Sequence, residues 1–264
     1  MSTTTTARPG VGPLLRDWRR RRRLSQLDLS IESGISTRHL SFVETGRSVP
    51  SRDMVLRLAE HLGVPLRERN RLLLAAGYAP VYRESGLDEP EMASVREALR
   101  AVLAAHEPYP AVVLTQQWEL VEGNAAVSLL IEGVTEELLR PPVNALRLTL
   151  HPDGMAPRIR NLGQWSTHLL DRLTRQVAIG GDPVLGSLLE ELRSYGAARD
   201  EGAAGDAAPG PAVPLLLDDG AGGTFAFYSV FATFGTAVDI TLDELAIETF
   251  LPADTATMER LHRR

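Results

Sequence analysis

The chain has 264 residues, 44% hydrophobic and 23% charged, with no cysteine; this fits a soluble globular protein and excludes disulfides, thiolate zinc sites and cysteine nucleophiles. No apolar run reaches the roughly 18–20 residues of a membrane helix and Met1–Gly10 lacks the apolar stretch of a signal peptide, so a cytoplasmic location and no membrane partner are expected. The net charge of −6 is split: residues 1–80 carry 14 arginines against seven acids and the other 184 carry 14 against 27, which points to nucleic acid at the N-terminal end alone.

Residues 1–10 are expected to be disordered. From Val11 to Arg23 the spacing of Leu14, Leu15 and Trp18 predicts a helix with one buried stripe. It ends in five consecutive arginines, Arg19–Arg23, either a solvated face or a set of phosphate contacts that release counterions. Ser25 and Asp28 form a capping-box pattern that opens a second helix, and Gly34 ends it, because the turn there needs a residue that tolerates positive φ. Ser36 caps a third helix, Thr37 to about Glu44, with Leu40 and Val43 facing inward. After the turn signals Gly46-Arg47 and Pro50-Ser51, two closing helices carry Met54, Val55, Leu58, Leu62 and Leu72–Leu74. The expectation is an all-α, five-helix domain over 11–77 containing a helix-turn-helix, whose second helix enters the major groove.

The ordered residues Gln26, Asp28, Leu29, Ser30, Gly34, Ile35, Ser36, Leu40, Ser41, Glu44, Gly46, Arg47, Pro50 and Ser51 resemble the lambda-repressor/Cro-type (Xre) DNA-binding family, over about residues 12–77. Ser30 departs from the family's usual alanine. The resemblance implies a double-stranded DNA operator as partner. It places Gln26 on a phosphate and Thr37, Arg38, Ser41 and Phe42 on the face that reads base edges. Arg38 has the donors for two guanine acceptors, and Phe42 packs either on a thymine methyl or on the domain's own core. Arg47 and Ser48 fall where the next loop holds backbone phosphate. Glu44 fixes the domain internally, since an acid facing DNA would repel it.

Gly77–Pro90 is rich in glycine, proline and charge, and residues 78–90 read as a linker. A helix is expected from Glu91 to His106, stopped by Pro108 and Pro110, then strands Ala111–Leu114 and Trp118–Glu122, then a helix from Asn124 to about Ile131. Helices follow from Arg158 to Val177 and, capped by Asp182-Pro183, to about Tyr195. Gly196–Pro211 reads as a mobile loop. Strands are expected at Val213–Leu217, Gly223–Phe231, Thr233–Ile240 and Ile247–Phe250, before a short helix from Asp254. Residues 91–264 therefore form an α+β domain, an antiparallel sheet with helices in a PAS-like layout.

Within that layout, the signposts Pro108-Tyr109-Pro110, Trp118, Asn124, Asn144, Arg147, His151-Pro152-Asp153-Gly154, Asn161, Trp165, Asp182-Pro183, Phe234-Gly235-Thr236 and Glu248-x-Phe250 resemble the ligand-binding domain of MmyB-like regulators. The resemblance implies a PAS-like fold, a homodimer, and a pocket able to take a fatty acid. Five of the six phenylalanines lie in 225–250, and Phe225, Phe227 and Phe231 share one strand face; they either fill a core or line a cavity. Asn124, Arg147, His151, Arg158 and Asn161 are candidates for a ligand carboxylate. Trp165 and His168 share a helix face and are candidates to flank the same space, with Phe231.

No nucleophile elbow, phosphate loop, zinc-protease helix or dinucleotide fingerprint stands in a fitting context, so no enzyme, cofactor or metal is expected. The arginine-only basic content fits a GC-rich bacterial genome. Two readings stay open for the second domain: a sensor of a small apolar ligand, and a ligandless dimerisation or docking module.

Overall fold

The structure, a computed structural model, describes residues 10–196 and 212–263. The expected N-terminal tail, apart from Gly10, and the stretch from 197 to 211 lie outside them. The chain divides into two compact units: Met1–Gly86 with Thr236–Asp243, and Leu87–Gly235 with Glu244–Arg264.

The first unit contains the five expected helices, α1 (Val11–Arg21), α2 (Gln26–Ser33), α3 (Thr37–Glu44), α4 (Arg52–His61) and α5 (Leu66–Ala75). Their starts follow from local chemistry. Ser25 and Asp28 close a reciprocal capping box on α2, and the side chains of Ser36 and Ser51 accept from the backbone of α3 and α4. Gly34 ends α2 in the left-handed region at φ 67°. Leu15, Trp18, Leu29, Leu40, Val43, Leu58 and Leu73 form one core. Gly12 lets α1 press on α3: a Cβ there would stand 2.3 Å from the Val43 carbonyl oxygen.

The expected linker packs on this unit as far as Gly86. Asn70 Oδ1 accepts from the amides of Val81 and Tyr82 at 2.9 and 3.1 Å, and its Nδ2 donates to the Tyr82 carbonyl at 2.7 Å. The expected strand Thr233–Ile240 does not form. Val238 there is 77% exposed, so no buried face rewards the alternation. Instead Asp239 draws hydrogen bonds from the backbone and hydroxyl of Ser85, and a short helix, Ile240–Asp243, brings the Asp243 carboxylate to the Leu66 amide at 3.0 Å. That bond satisfies the start of α5, where Pro65 offers no side-chain cap.

The second unit is built on α6 (Ala93–Ala105), β1 (Ala111–Thr115), β2 (Leu120–Gly123), α7 (Ser128–Ile131), α8 (Ala145–Leu150), α9 (Leu162–Gly180), α10 (Pro183–Ser194), β3 (Leu215–Asp218), β4 (Thr224–Thr233), β5 (Leu245–Pro252) and α12 (Thr255–His262), where α11 is the Ile240–Asp243 helix above. All pairings are antiparallel and the order is β2-β1-β5-β4-β3, the expected PAS-like α+β layout. Register sets Val112, Glu248 and Phe231 abreast on one face, and period two adds Leu114, Phe250, Phe227 and Phe225 to it. Against that face α9 lays Trp165, Leu169 and Leu173, and α10 adds Leu185, Leu189 and Leu192. Trp118 sits in the turn before β2 rather than in the strand, at φ 67°, unusual for a bulky residue. It is held there by the Ala145 amide donating to its carbonyl at 2.8 Å and by its Nε1 donating to Gln176 at 2.9 Å.

Candidate functional site

On α3, Leu40, Val43 and Glu44 are buried, which leaves Arg38 exposed and Thr37, Ser41 and Phe42 half-exposed. The Phe42 ring has the Arg38 guanidinium 5.5 Å and the Arg47 guanidinium 6.0 Å from its centre. The amides of Arg47 and Ser48 both donate to the Phe42 carbonyl, at 2.8 and 3.1 Å, so the turn is fixed on the end of α3. Thr37 shares a 2.9 Å hydrogen bond with Ser30, which ties α3 to α2 and uses the serine that replaces alanine. Gln26 Nε2 donates to Glu44 at 2.8 Å and keeps a second N–H free of that bond. The arginine run divides: Arg19 is buried on Glu44 and Arg22 donates to the carbonyls of Leu62 and Gly63, while Arg20, Arg21 and Arg23 are exposed. Burial pushes the Glu44 carboxyl up, but hydrogen bonds from Arg19 and Gln26 outweigh it and hold the group below its ordinary range. The result is an exposed helix face carrying the Arg38 and Arg47 guanidinium groups, with Glu44 turned inward.

In the second unit a cavity of about 60 Å³ lies between the sheet and the helices. Its floor is Val112, Leu114, Leu120 and Phe250; α9 contributes Trp165 and Leu169, and α7, α8 and Met155 close it. Among the described residues its polar lining is Thr149, Glu248 and the indoles of Trp118 and Trp165, of which Trp118 donates to Gln176. Thr149 donates to the Ala145 carbonyl of its own helix. Trp165 is 3% exposed, and its Nε1 is the one buried side-chain donor without a hydrogen-bond partner among the described residues. Glu248 is 6% exposed; Ser229 donates to its Oε1, and Arg172 is its charged neighbour. Burial pushes its carboxyl up to about 7.

Two family models match these two units in turn. A helix-turn-helix domain model covers residues 11–72, and the model of the MmyB-like transcription regulator ligand binding domain covers residues 95–263. The chain belongs to the MmyB-like transcription regulators. It is a DNA-binding transcription regulator with a ligand-binding domain. No curated protein sequence matches it. Among solved structures it is similar to that of an RNA-binding light-oxygen-voltage receptor, with 13% identity and a TM-score of 0.27. That match covers 96% of this chain, which spans 62% of the receptor's length, and at that score nothing further follows from it. No described helix is long and apolar enough to cross a membrane.

In this MmyB-like regulator, the polar residues expected to meet a ligand take two different places. Trp165 lines the cavity, with the His168 ring stacked 5.6 Å from it. Phe231 packs beside the core, edge-on to Trp118 at 5.6 Å and under the Arg172 guanidinium at 3.4 Å. Neither His168 nor Phe231 lines the cavity, and the other five are not brought to it. Arg147 makes two hydrogen bonds to Glu191, at 2.6 and 2.7 Å, and His151 stands edge-on to Tyr195, which also donates to Glu191. Asn124 pins the Ala111 amide and the Leu103 and Tyr109 carbonyls. Arg158 gathers the carbonyls of Leu129, Leu130, Glu132 and Asp218, closing the end of α7. Asn161 bonds the Pro214 carbonyl and the Leu216 amide, tying α9 to β3. Glu248 stood in the sequence only as a signpost of the resemblance and not as a site residue, although its place two residues before Phe250 puts it on the inward face. Arg172 was missed too, although it continues the stripe of Trp165 and Leu169.

Proposed function

We propose that this regulator binds a near-palindromic operator as a homodimer and that its second unit senses a small apolar ligand, with an acyl chain of the fatty-acid kind filling the cavity. The DNA-reading group is Arg38 with Thr37, Ser41 and Phe42, and Gln26, Arg47 and Ser48 hold phosphate. Support for that assignment is the outward set of α3 and the exposed guanidinium groups of Arg38 and Arg47 beside it. In the homodimer the two recognition helices stand about 34 Å apart, one duplex turn.

The observation that carries the sensor reading is the cavity itself: an apolar space with an orphaned N–H and a buried carboxyl on its wall. Its volume of about 60 Å³ is well under the ~150 Å³ that holds benzene in an engineered protein cavity. Uptake of an acyl chain must therefore push the wall outward. The short helices α7 and α8, four and six residues long, are the parts of the wall with least structure of their own. A ligand that binds only the expanded state shifts the protein towards it, which is what a sensor requires. A small, nearly filled cavity also favours a second reading, a ligandless dimerisation or docking module.

Native mass spectrometry of gently purified protein, with lipid extraction of the same sample, separates the two. A dimer with a stoichiometric lipid-sized adduct is the expected result. A bare dimer that also takes up no added long-chain lipid contradicts the sensor reading.

A further inference from the structure

The first residue of α3 carries a hydroxyl whose proton is committed inside the domain. Ser30 Oγ lies 2.8 Å from the Leu27 carbonyl oxygen, one turn back in α2, and 2.9 Å from Thr37 Oγ1. A hydroxyl has one proton to donate and two lone pairs to accept with, and a carbonyl oxygen only accepts. The Leu27 contact therefore takes the Ser30 proton, since otherwise two oxygens would face each other at 2.8 Å with no hydrogen between them. Ser30 then meets Thr37 with a lone pair, and the proton in that 2.9 Å bond is the one on Thr37. Ser30 is 7% exposed, which keeps bulk water from competing for either bond. Thr37, by contrast, is half-exposed at the start of the recognition helix.

What Thr37 turns to a duplex is thus an oxygen with lone pairs alone. Such a group cannot hydrogen-bond a phosphate oxygen, guanine O6 or N7, or thymine O4, all of which accept. In the major groove it fits the exocyclic amino groups, N6 of adenine and N4 of cytosine. Arg38, the next residue, is the reverse, since its guanidinium has donors only. We propose that Ser30 makes Thr37 a specificity-determining acceptor, which reads an amino-bearing base, adenine or cytosine, at one position of each half-site and rejects guanine or thymine there. The proposal rests on the assignment of Thr37 to base reading and deepens it. Ser30 is a positioning residue: it touches no base and acts by fixing the direction of one hydrogen bond.

Operators are selected from random duplexes with the full-length wild type and with Thr37→Val, and the position whose preference Thr37→Val removes is the one Thr37 reads. There the amino group is deleted, adenine replaced by purine or cytosine by 2-pyrimidinone, and affinity is measured by fluorescence anisotropy. The deletion is expected to cost the wild type about fivefold more than it costs Thr37→Val, the worth of one hydrogen bond. Removing the keto oxygen of the partner base is expected to act equally on both proteins. Ser30→Ala frees the Thr37 proton, so inverting the base pair, which turns a keto oxygen to Thr37, is expected to cost this variant several-fold less than the wild type. Coupling of Thr37 to the keto oxygen, or an inversion penalty unchanged by Ser30→Ala, overturns the proton assignment and leaves Thr37 a base-reading residue. If Thr37→Val alters no base position, Thr37 leaves the base-reading group and the proposal falls with it. The cycle between wild type and Thr37→Val decides the matter even if Ser30→Ala fails to fold.

Discussion

Arg19 grips Glu44 across the helix-turn-helix unit with two hydrogen bonds, 2.7 Å from Nε to Oε1 and 2.8 Å from Nη2 to Oε2. Both side chains are buried, at 11% and 0% exposure, so this pair is internal although Arg19 opens the five-arginine run. Removing Arg19 takes two hydrogen bonds from a buried carboxylate and leaves it the Gln26 donor and the Arg16 guanidinium at 3.5 Å. Arg19→Ala is expected to cost about 3 kcal/mol, the lower end for a broken buried pair, read as a lower urea midpoint. Arg20→Ala and Arg23→Ala are expected to leave the midpoint in place and each to reduce the salt slope of DNA binding by about one. The Glu44 carboxyl sits below its ordinary range, so the pair's stabilisation is present above the unfolded carboxyl's titration and is lost as pH falls through the folded one.

Arg38 is the exposed guanidinium of α3. Arg38→Ala is expected to weaken binding to an operator selected from random duplexes by about 1–3 kcal/mol and to spare random duplex, measured by fluorescence anisotropy. Equal losses on both duplexes would remove Arg38 from base reading.

Arg147 and Glu191 make a bidentate pair, held also by Tyr195. The hydrogen bond from Arg147 leads in bringing Glu191 down to about 2. Both side chains are more than a third exposed, 38% and 36%, and solvent screens them, so Arg147→Ala is expected to cost only about 1 kcal/mol. That contribution is present above the ordinary carboxylate range and fades as pH falls towards about 2. Ligand affinity is expected to be unchanged in the variant, and a large loss would return Arg147 to the ligand site.

Glu248 gives the opposite sign. Its folded carboxyl titrates at about 7 against 4.5 in the open chain, so the unfolded state releases its proton first and stability falls as pH rises from 4.5 to about 7. The groups acting on it are Ser229 on β4 and Arg172 on α9, and both favour ionisation less than burial opposes it. Glu248→Gln, which has no proton to lose, is expected to melt several degrees above the wild type at alkaline pH and close to it in mild acid, at about 2–4 °C per kcal/mol. Equal melting-temperature differences at the two pH values would show that Glu248 does not titrate in this range.

The first unit was legible because its signals are local: Ser25 and Asp28, Gly34 and Ser36 act within one turn of where they stand in the chain. The antiparallel sheet with helices was legible as a layout, from β-branched and aromatic runs set between turn signals, whereas the strand order β2-β1-β5-β4-β3 was not read from the sequence. What sequence could not show is which backbone groups meet across long separations. Asn124, Arg158 and Asn161 have the chemistry of ligand recognition and spend it on carbonyls and amides, up to 60 residues away in the case of Arg158 and Asp218. Arg147 likewise met an acid 44 positions on. The docking of Thr236–Asp243 in the first unit rests on Asp239 and Ser85, 154 positions apart, and no local pattern announces it.

The central claim is that occupancy of the cavity changes DNA binding. The direct measurement is the operator affinity of the full-length protein, by anisotropy, with and without saturating laurate, beside native mass spectra that report occupancy. Linkage requires a change in one direction, expected at about fivefold or more, abolished by a bulky substitution that fills the cavity, Ala145→Phe. An operator affinity that stays the same while the mass spectra show the cavity occupied would contradict the account.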